Sequence, residues 1–412
     1  MLLPGYFLAV SAVITLAPFR PAWPHAIRLA WTSPPFDLVT NVLLFLPVGF
    51  VWPLAAGRRP RAQLAAVGIA GALASAALEA AQVFLPGRYP SLIDVATNGA
   101  GAVLGSALRL AARSTLDARL VRGLALELPL MNLVYLLLPL LWLEALVAAA
   151  SEAGSWLGTL LGLCGALVIS AVWRHRLQPA GLPAWALPAL VAAWFFAGSF
   201  PALGRTPALV IVTAAGLGAL VALDAAWTRL PRPDRRFEIP TLRLAVPFLG
   251  AYLIAALTRP WPAMPGPWRG ALGLPDIGDS PGLAPLLGLV QHLAGFTLLG
   301  YMVAEWRGRS ETPGWGMRGQ TAVVCAASAA LAEAVAGAHS AHVASLLRLG
   351  LAGLASAYGA ILYRAQIAFV RSLLEASPPV TGGRGGDAGH MPAGKVALPG
   401  ARRSDRRPTR AE

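Results

Sequence analysis

Apolar runs of roughly 17 to 25 residues, each long enough to cross a bilayer core as a helix, follow one another along nearly the whole chain. Backbone at membrane depth must satisfy its hydrogen bonds internally, so only helices and closed barrels are open to such a chain. A barrel would alternate over segments of about ten residues, whereas these runs are continuous. The pattern predicts twelve helices, at 4–19, 37–56, 62–85, 91–112, 124–149, 155–173, 180–202, 206–227, 243–258, 283–305, 321–338 and 345–369. Only 13% of residues are charged and mean hydropathy is +0.61, which excludes ordinary soluble domains. The expected fold class is therefore all-α, a polytopic transmembrane helical bundle of about 12 spans. The first run lacks the basic leader and cleavage site of a signal peptide and is read as a retained helix.

The formal net charge of +14 is carried by arginines whose placement argues for topology rather than nucleic acid. Connections after even-numbered spans hold Arg58, Arg59, Arg61, Arg119, Arg122, Arg174, Arg176, Arg232, Arg235, Arg236, Arg307 and Arg309, among others. Odd connections hold Arg20, Arg28, Arg88, Arg205, Arg259 and Arg269. Basic residues mark the cytoplasmic side, so both termini are expected in the cytoplasm of a bacterial inner membrane, with membrane lipids as partners and no nucleic acid. Cys164 and Cys325 fall inside spans, which leaves packing as their role. His339 and His342 are three apart with no third ligand nearby, so no metal and no cofactor is expected.

Four segments follow from the spacing: a four-helix unit at 1–122, an unassigned four-helix block at 123–242, a block at 243–370, and a disordered basic cytoplasmic tail at 371–412, rich in Gly, Pro and Arg. The first and third blocks echo each other. Phe45 and Gly49 stand against Phe296 and Gly300, Asn41 against His292, Glu79 against Glu333, and Gly99 and Gly105 against Gly353 and Gly359. In that register Asp94 meets Arg348 and Asn98 meets Ala352, so the third block reads as a degenerate repeat that has lost part of the polar set.

That polar set is the other unusual feature. Charges at membrane depth cost free energy, about 2.5–3.5 kcal/mol each on insertion scales, and they usually face the bundle or a cavity. Asp37 and Asn41 lie one turn apart at the start of the second span, Glu79 and Gln82 share a face near the end of the third, and Arg88, Ser91, Asp94 and Asn98 open the fourth. With the topology above, all eight lie at one depth, in the outer leaflet. The pattern Asp37-x3-Asn41-x3-Phe45-x-Pro47-x-Gly49, then Glu79-x2-Gln82, then Arg88-x2-Ser91-x2-Asp94-x3-Asn98-x2-Gly101-x3-Gly105 resembles the VanZ-like family of bacterial membrane proteins over about residues 1–112. The resemblance implies a cell-envelope setting and, through the member that named the family, a link to resistance to the glycopeptide teicoplanin; it carries no reaction over to this chain.

The residues themselves leave several roles open. Asn, Gln and carboxylates paired across helices act as packing glue worth about 0.6 kcal/mol per bond. As a binding site, Arg88, helped by Arg20, would take a phosphate or carboxylate, and Asn41, Gln82, Ser91 and Asn98 would bond sugar or peptide groups. The partner in that reading is a lipid-linked glycan or peptidoglycan precursor, whose tail stays in the bilayer. As an enzyme, Asp37, Glu79 and Asp94 would supply acid–base groups for transfer to an envelope lipid or polysaccharide, but no nucleophile elbow, phosphate loop or metal pair accompanies them, so a non-enzymatic role is preferred. A secondary transporter would need deep charges in the middle block, where Glu127, Glu144 and Asp224 are the candidates; Glu144 and Asp224 are expected at membrane ends, within reach of water.

Overall fold

The structure is a computed structural model of the 412-residue chain, and it describes residues 2–16, 22–24, 29–52, 59–86, 88–115, 127–150, 156–179, 181–227, 237–259, 265–275, 283–309 and 317–375. Among these residues the chain forms α1 (Leu2–Leu16), α2 (Pro35–Val51), α3 (Pro60–Gln82), α4 (Leu92–Thr115), α5 (Leu128–Ala150), α6 (Leu157–Val172), α7 (Ala186–Gly198), α8 (Pro207–Trp227), α9 (Glu238–Leu257), α10 (Leu283–Arg309), α11 (Met317–Gly337) and α12 (Leu346–Glu375). The fold is an all-α bundle, and 8 of these helices are long and apolar enough to cross a membrane. Large apolar side chains face outward along them, with Leu73 and Val212 each 67% and Leu354 70% exposed, the reverse of a water-soluble surface. The chain is thus a multi-pass membrane protein.

Local chemistry moved several boundaries. The run expected as one helix at 180–202 is helical only over Ala186–Gly198, followed by a 3-10 turn at Phe200–Gly204. Gly181 takes a left-handed φ of 93° just before it, and Pro201 has no N–H to carry the helix on. The sixth span continues past Val172 through a π-helical turn, Trp173–Leu177. At the far end α12 runs on to Glu375, past residue 370 and into the segment expected as a disordered tail; residues 376–412 lie outside the described residues.

Within the first block, α3 is built inside out. Its buried stripe is Gln63, Val67, Gly71, Ser75, Glu79 and Gln82, spaced every third or fourth position, while Ile69 and Leu73 point outward. Small and polar groups thus face the neighbouring helices, the arrangement that lets membrane helices pack without a hydrophobic driving force. The contact of α2 with α4 is closer still. A side chain at Gly49 would run into the backbone carbonyl of Ala102, one at Gly101 into that of Val42, and one at Gly105 into that of Leu46.

The third block repeats these contacts in the register of the sequence echo. A side chain at Gly300 would strike the Ser356 carbonyl and one at Gly359 the Thr297 carbonyl, while Phe45 and Phe296 are both fully buried. Short extended segments dock the loops alike: Ala30 bridges Ser91 in parallel in the first block, and Gly270–Ala271 pairs in parallel with Ala344–Ser345 in the third.

The middle block supplies a leucine core, with Leu130, Leu133, Leu137 and Leu140 of α5 buried against α6 and α10. The expectation for Glu144 is overturned here. It is buried at 2% exposure rather than reaching water, ion-pairs with Arg259, and bonds to Gln291 and Tyr252 from two other helices. Three partners contributed by α9, α10 and the end of α9 hold the carboxylate inside, because leaving it near the surface would strand them. Asp224, by contrast, is half exposed and paired with Arg174.

The glycine contacts give a direct test. Gly105→Leu should lower stability by about 1–3 kcal/mol or prevent accumulation in the membrane, since backbone rather than a flexible side chain lies in its way. Gly216→Ala, which meets nothing within 4 Å, should be neutral or stabilising by about 0.5–1 kcal/mol. Thermal unfolding followed by size-exclusion of the detergent-solubilised variants separates the two.

Candidate functional site

The site is organised at the junction where α3 ends and α4 begins. Ser91 is the N-cap of α4: its Oγ accepts the Asp94 backbone N–H at 3.3 Å. Ser91-x-x-Asp94 has the spacing of a capping box, in which the Asp94 carboxylate would reach back to the Ser91 N–H. It does not. That N–H donates instead to Glu79 Oε2 at 2.7 Å, so the carboxylate of one helix caps the next. Asp94 is left to accept a hydrogen bond from Ser33 Oγ at 2.9 Å, while its charge sits in the first turn of α4, where the helix dipole favours it.

One turn deeper, Asn98 Nδ2 donates to Ser75 Oγ at 2.8 Å, tying α4 to α3. Asn98 Oδ1 remains buried without a partner, as does Asn41 Nδ2 on α2. An acceptor and a donor are thus each unsatisfied inside the first block, which costs about 1–3 kcal/mol per group unless something bonds to them. Arg88 is exposed beside the junction, and Glu79 experiences both its positive charge and the negative charge of Asp94. Among the described residues no guanidinium is bonded to Glu79 or Asp94.

The structure therefore brings together Glu79, Ser91, Asp94 and Asn98, with Arg88 at the mouth. It adds Ser33 and Ser75, which sequence reasoning missed; Ser75 shares the inward stripe of Glu79, and that spacing was the available signal. Gln82 is buried on the same stripe. Asp37 is exposed in the first turn of α2, and no contact of its side chain with the cluster is present among the described residues. Arg20 lies outside the described residues.

The corresponding place in the third block is closed. Ser345 N–H donates to Glu333 Oε2 at 2.8 Å and Ser345 Oγ caps Arg348 N–H at 3.0 Å, just as in the first block. There Arg348 stands in for Asp94 and turns onto Glu333, with Nε at 2.6 Å from Oε1 and Nη2 at 2.8 Å from Oε2. The fork-to-fork pair satisfies both charges internally. Ala329 and Ala352, both buried, occupy the places of Ser75 and Asn98. His339 accepts the Ala341 N–H at Nδ1, and His342 bonds the Arg259 carbonyl, so both imidazoles serve the loop.

Removing one partner of a buried ion pair strands the other at a cost of about 3–5 kcal/mol. Glu333→Gln should therefore unfold at a distinctly lower temperature than wild type, whereas Glu79→Gln, which keeps an acceptor for the Ser91 N–H and strands no arginine, should stay close to it. Differential scanning fluorimetry in detergent checks the difference.

Comparison with known proteins finds a family match over the first block. Residues 6–113 match the model of the family described as VanZ/LLP1. No curated protein and no solved structure matches the chain. The match spans α1 to α4 and includes the Glu79–Ser91–Asp94–Asn98 junction, so the N-terminal unit of this membrane protein is a VanZ-like unit.

Proposed function

We propose that the first block recognises the polar head of a lipid-linked or glycan-bearing cell-envelope molecule at the outer face of a bacterial inner membrane. The observation that supports this reading best is the contrast at one position: with Asp94 there, no guanidinium among the described residues is bonded to either carboxylate of the junction, where Arg348 in the third block neutralises its glutamate. A pair kept only as packing glue would be expected to close on itself, as Glu333 and Arg348 do. Glu79 and Asp94 accept from sugar hydroxyls or amide N–H groups, Asn41 Nδ2 and Asn98 Oδ1 offer a donor and an acceptor, and Arg88 presents its planar fork to a phosphate or carboxylate.

In this reading the third block is a degenerate second copy that keeps the fold of the junction and not its ligand. The arginine distribution supports the orientation, with both termini cytoplasmic and the junction outward. A connection to glycopeptide susceptibility would follow from the kind of molecule bound.

Losing a hydrogen bond to a charged group costs about 1.5–3 kcal/mol, so Asp94→Ala and Arg88→Ala should each weaken binding roughly ten- to a hundredfold while still accumulating in the membrane. Native mass spectrometry of the protein in mild detergent reads this directly. Wild type should retain a lipid-linked glycan or peptide that Asp94→Ala loses. Identical bulk phospholipid on both proteins would leave the cluster as helix-packing glue.

A further inference from the structure

A partly open cavity of about 110 Å³ lies between α1 and α2 of the VanZ-like unit and α5 and α7 of the middle block. Phe7, Leu43, Leu46, Leu138, Trp142 and Ala197 line it, and its wall is almost wholly apolar. Ser11 also faces it, but its hydroxyl is spent on the Phe7 carbonyl at 2.9 Å.

Two prolines border the cavity. Pro47 stands inside α2 and Pro139 inside α5, each removing a backbone N–H and pressing its ring against the preceding turn. Trp142 is buried, and its indole Nε1 has no partner. The cavity starts only two residues beyond Asn41 on α2, about 3 Å at 1.5 Å per residue, and continues along the helix away from the polar junction.

We propose that this cavity is a lipid-tail site, holding the hydrocarbon chain of a membrane lipid whose polar head lies at the junction above it. The inference rests on the reading of that junction as a head-group site. At mid-helix, among apolar spans, the substance that reaches an apolar opening is bilayer hydrocarbon, and a chain takes the shape of a gap that rigid side chains leave. The Trp142 N–H suits a single acceptor on that chain, such as an ester oxygen. The tail expected to stay in the bilayer beside the bundle is thereby brought between its first two blocks.

The test uses the full chain in vesicles of phosphatidylethanolamine and phosphatidylglycerol, with a trace of phosphatidylglycerol carrying a diazirine in its acyl chain. After irradiation, adducts are mapped by peptide mass spectrometry. They should concentrate on Leu43, Leu138 and Trp142 over the outward-facing Ile211, Val212 and Leu354, and Ala197→Trp, which fills the cavity, should lower them about tenfold, an effect of roughly 1.4 kcal/mol. Adducts in wild type spread evenly over both sets overturn the proposal, and that comparison needs no variant to fold. Competition by polyprenyl phosphate would mark an isoprenoid chain as the favoured occupant, and its failure an ordinary acyl chain; either supports a tail site. The probe has an ordinary head group, so cavity adducts that persist in Asp94→Ala while ligand selection is lost support both sites separately. Cavity adducts absent from wild type sink the tail site whatever Asp94 does.

Discussion

A carboxylate at the end of one apolar helix accepts the backbone N–H of the serine that starts the next, and the polar chemistry of the junction is arranged around that bond. Glu79 and Glu333 each accept a serine N–H across a helix junction, at 2.7 and 2.8 Å. In water a solvent molecule would satisfy the same N–H. At the edge of a bilayer an unpaired backbone donor costs several kcal/mol, so the carboxylate is fixed in place by the helix start that it serves. Once it is fixed, the residue three positions after the serine decides whether the junction is open or closed. Asp94 leaves it charged and turned toward Ser33, and Arg348 folds back and neutralises it.

The glycines act on the same junction from behind. Gly49, Gly101 and Gly105 let α2 lie against the backbone of α4, which brings Asn41 and the start of α2 toward the helix that carries Asp94 and Asn98. Gly300 and Gly359 make the same approach in the third block, where alanines stand at the positions of Ser75 and Asn98. Packing and polar function are therefore separable in this fold. Close helix approach persists where the polar set does not, which is why the first block, and not the third, is the one proposed to hold a ligand.

The middle block is joined to the third through buried ion pairs as well as apolar contact. Glu144 links α5 to α9 and α10 with Arg259, Tyr252 and Gln291 around it. At the opposite end of the same helices Glu127 and Glu238 share the arginines Arg176 and Arg309. Such pairs add little net stability once desolvation is counted, but they specify which helices meet, since a wrong partner leaves a charge unpaired. The apolar cavity lies between the helices of the first and middle blocks, with Pro47 and Pro139 on its wall.

Much of this was legible without coordinates. Continuous apolar runs determine helices in a membrane because no other open structure satisfies the backbone, and the twelve runs became twelve described helices, with breaks where Gly181 and Pro201 stand. The polar motif of the first block, its family resemblance and its echo in the third were readable as spacing, since i, i+3 and i+4 positions share a face whatever they pack against. What spacing does not contain is the partner. That Glu79 rather than Asp94 takes the Ser91 N–H, that Asp37 stays apart from the cluster, and that Glu144 is buried in a network rather than at a wet helix end depend on which helices lie side by side. Those contacts join residues up to 147 positions apart in the chain, and only the tertiary structure decides them, because a buried polar group is stabilised by whatever donor the packing brings to it.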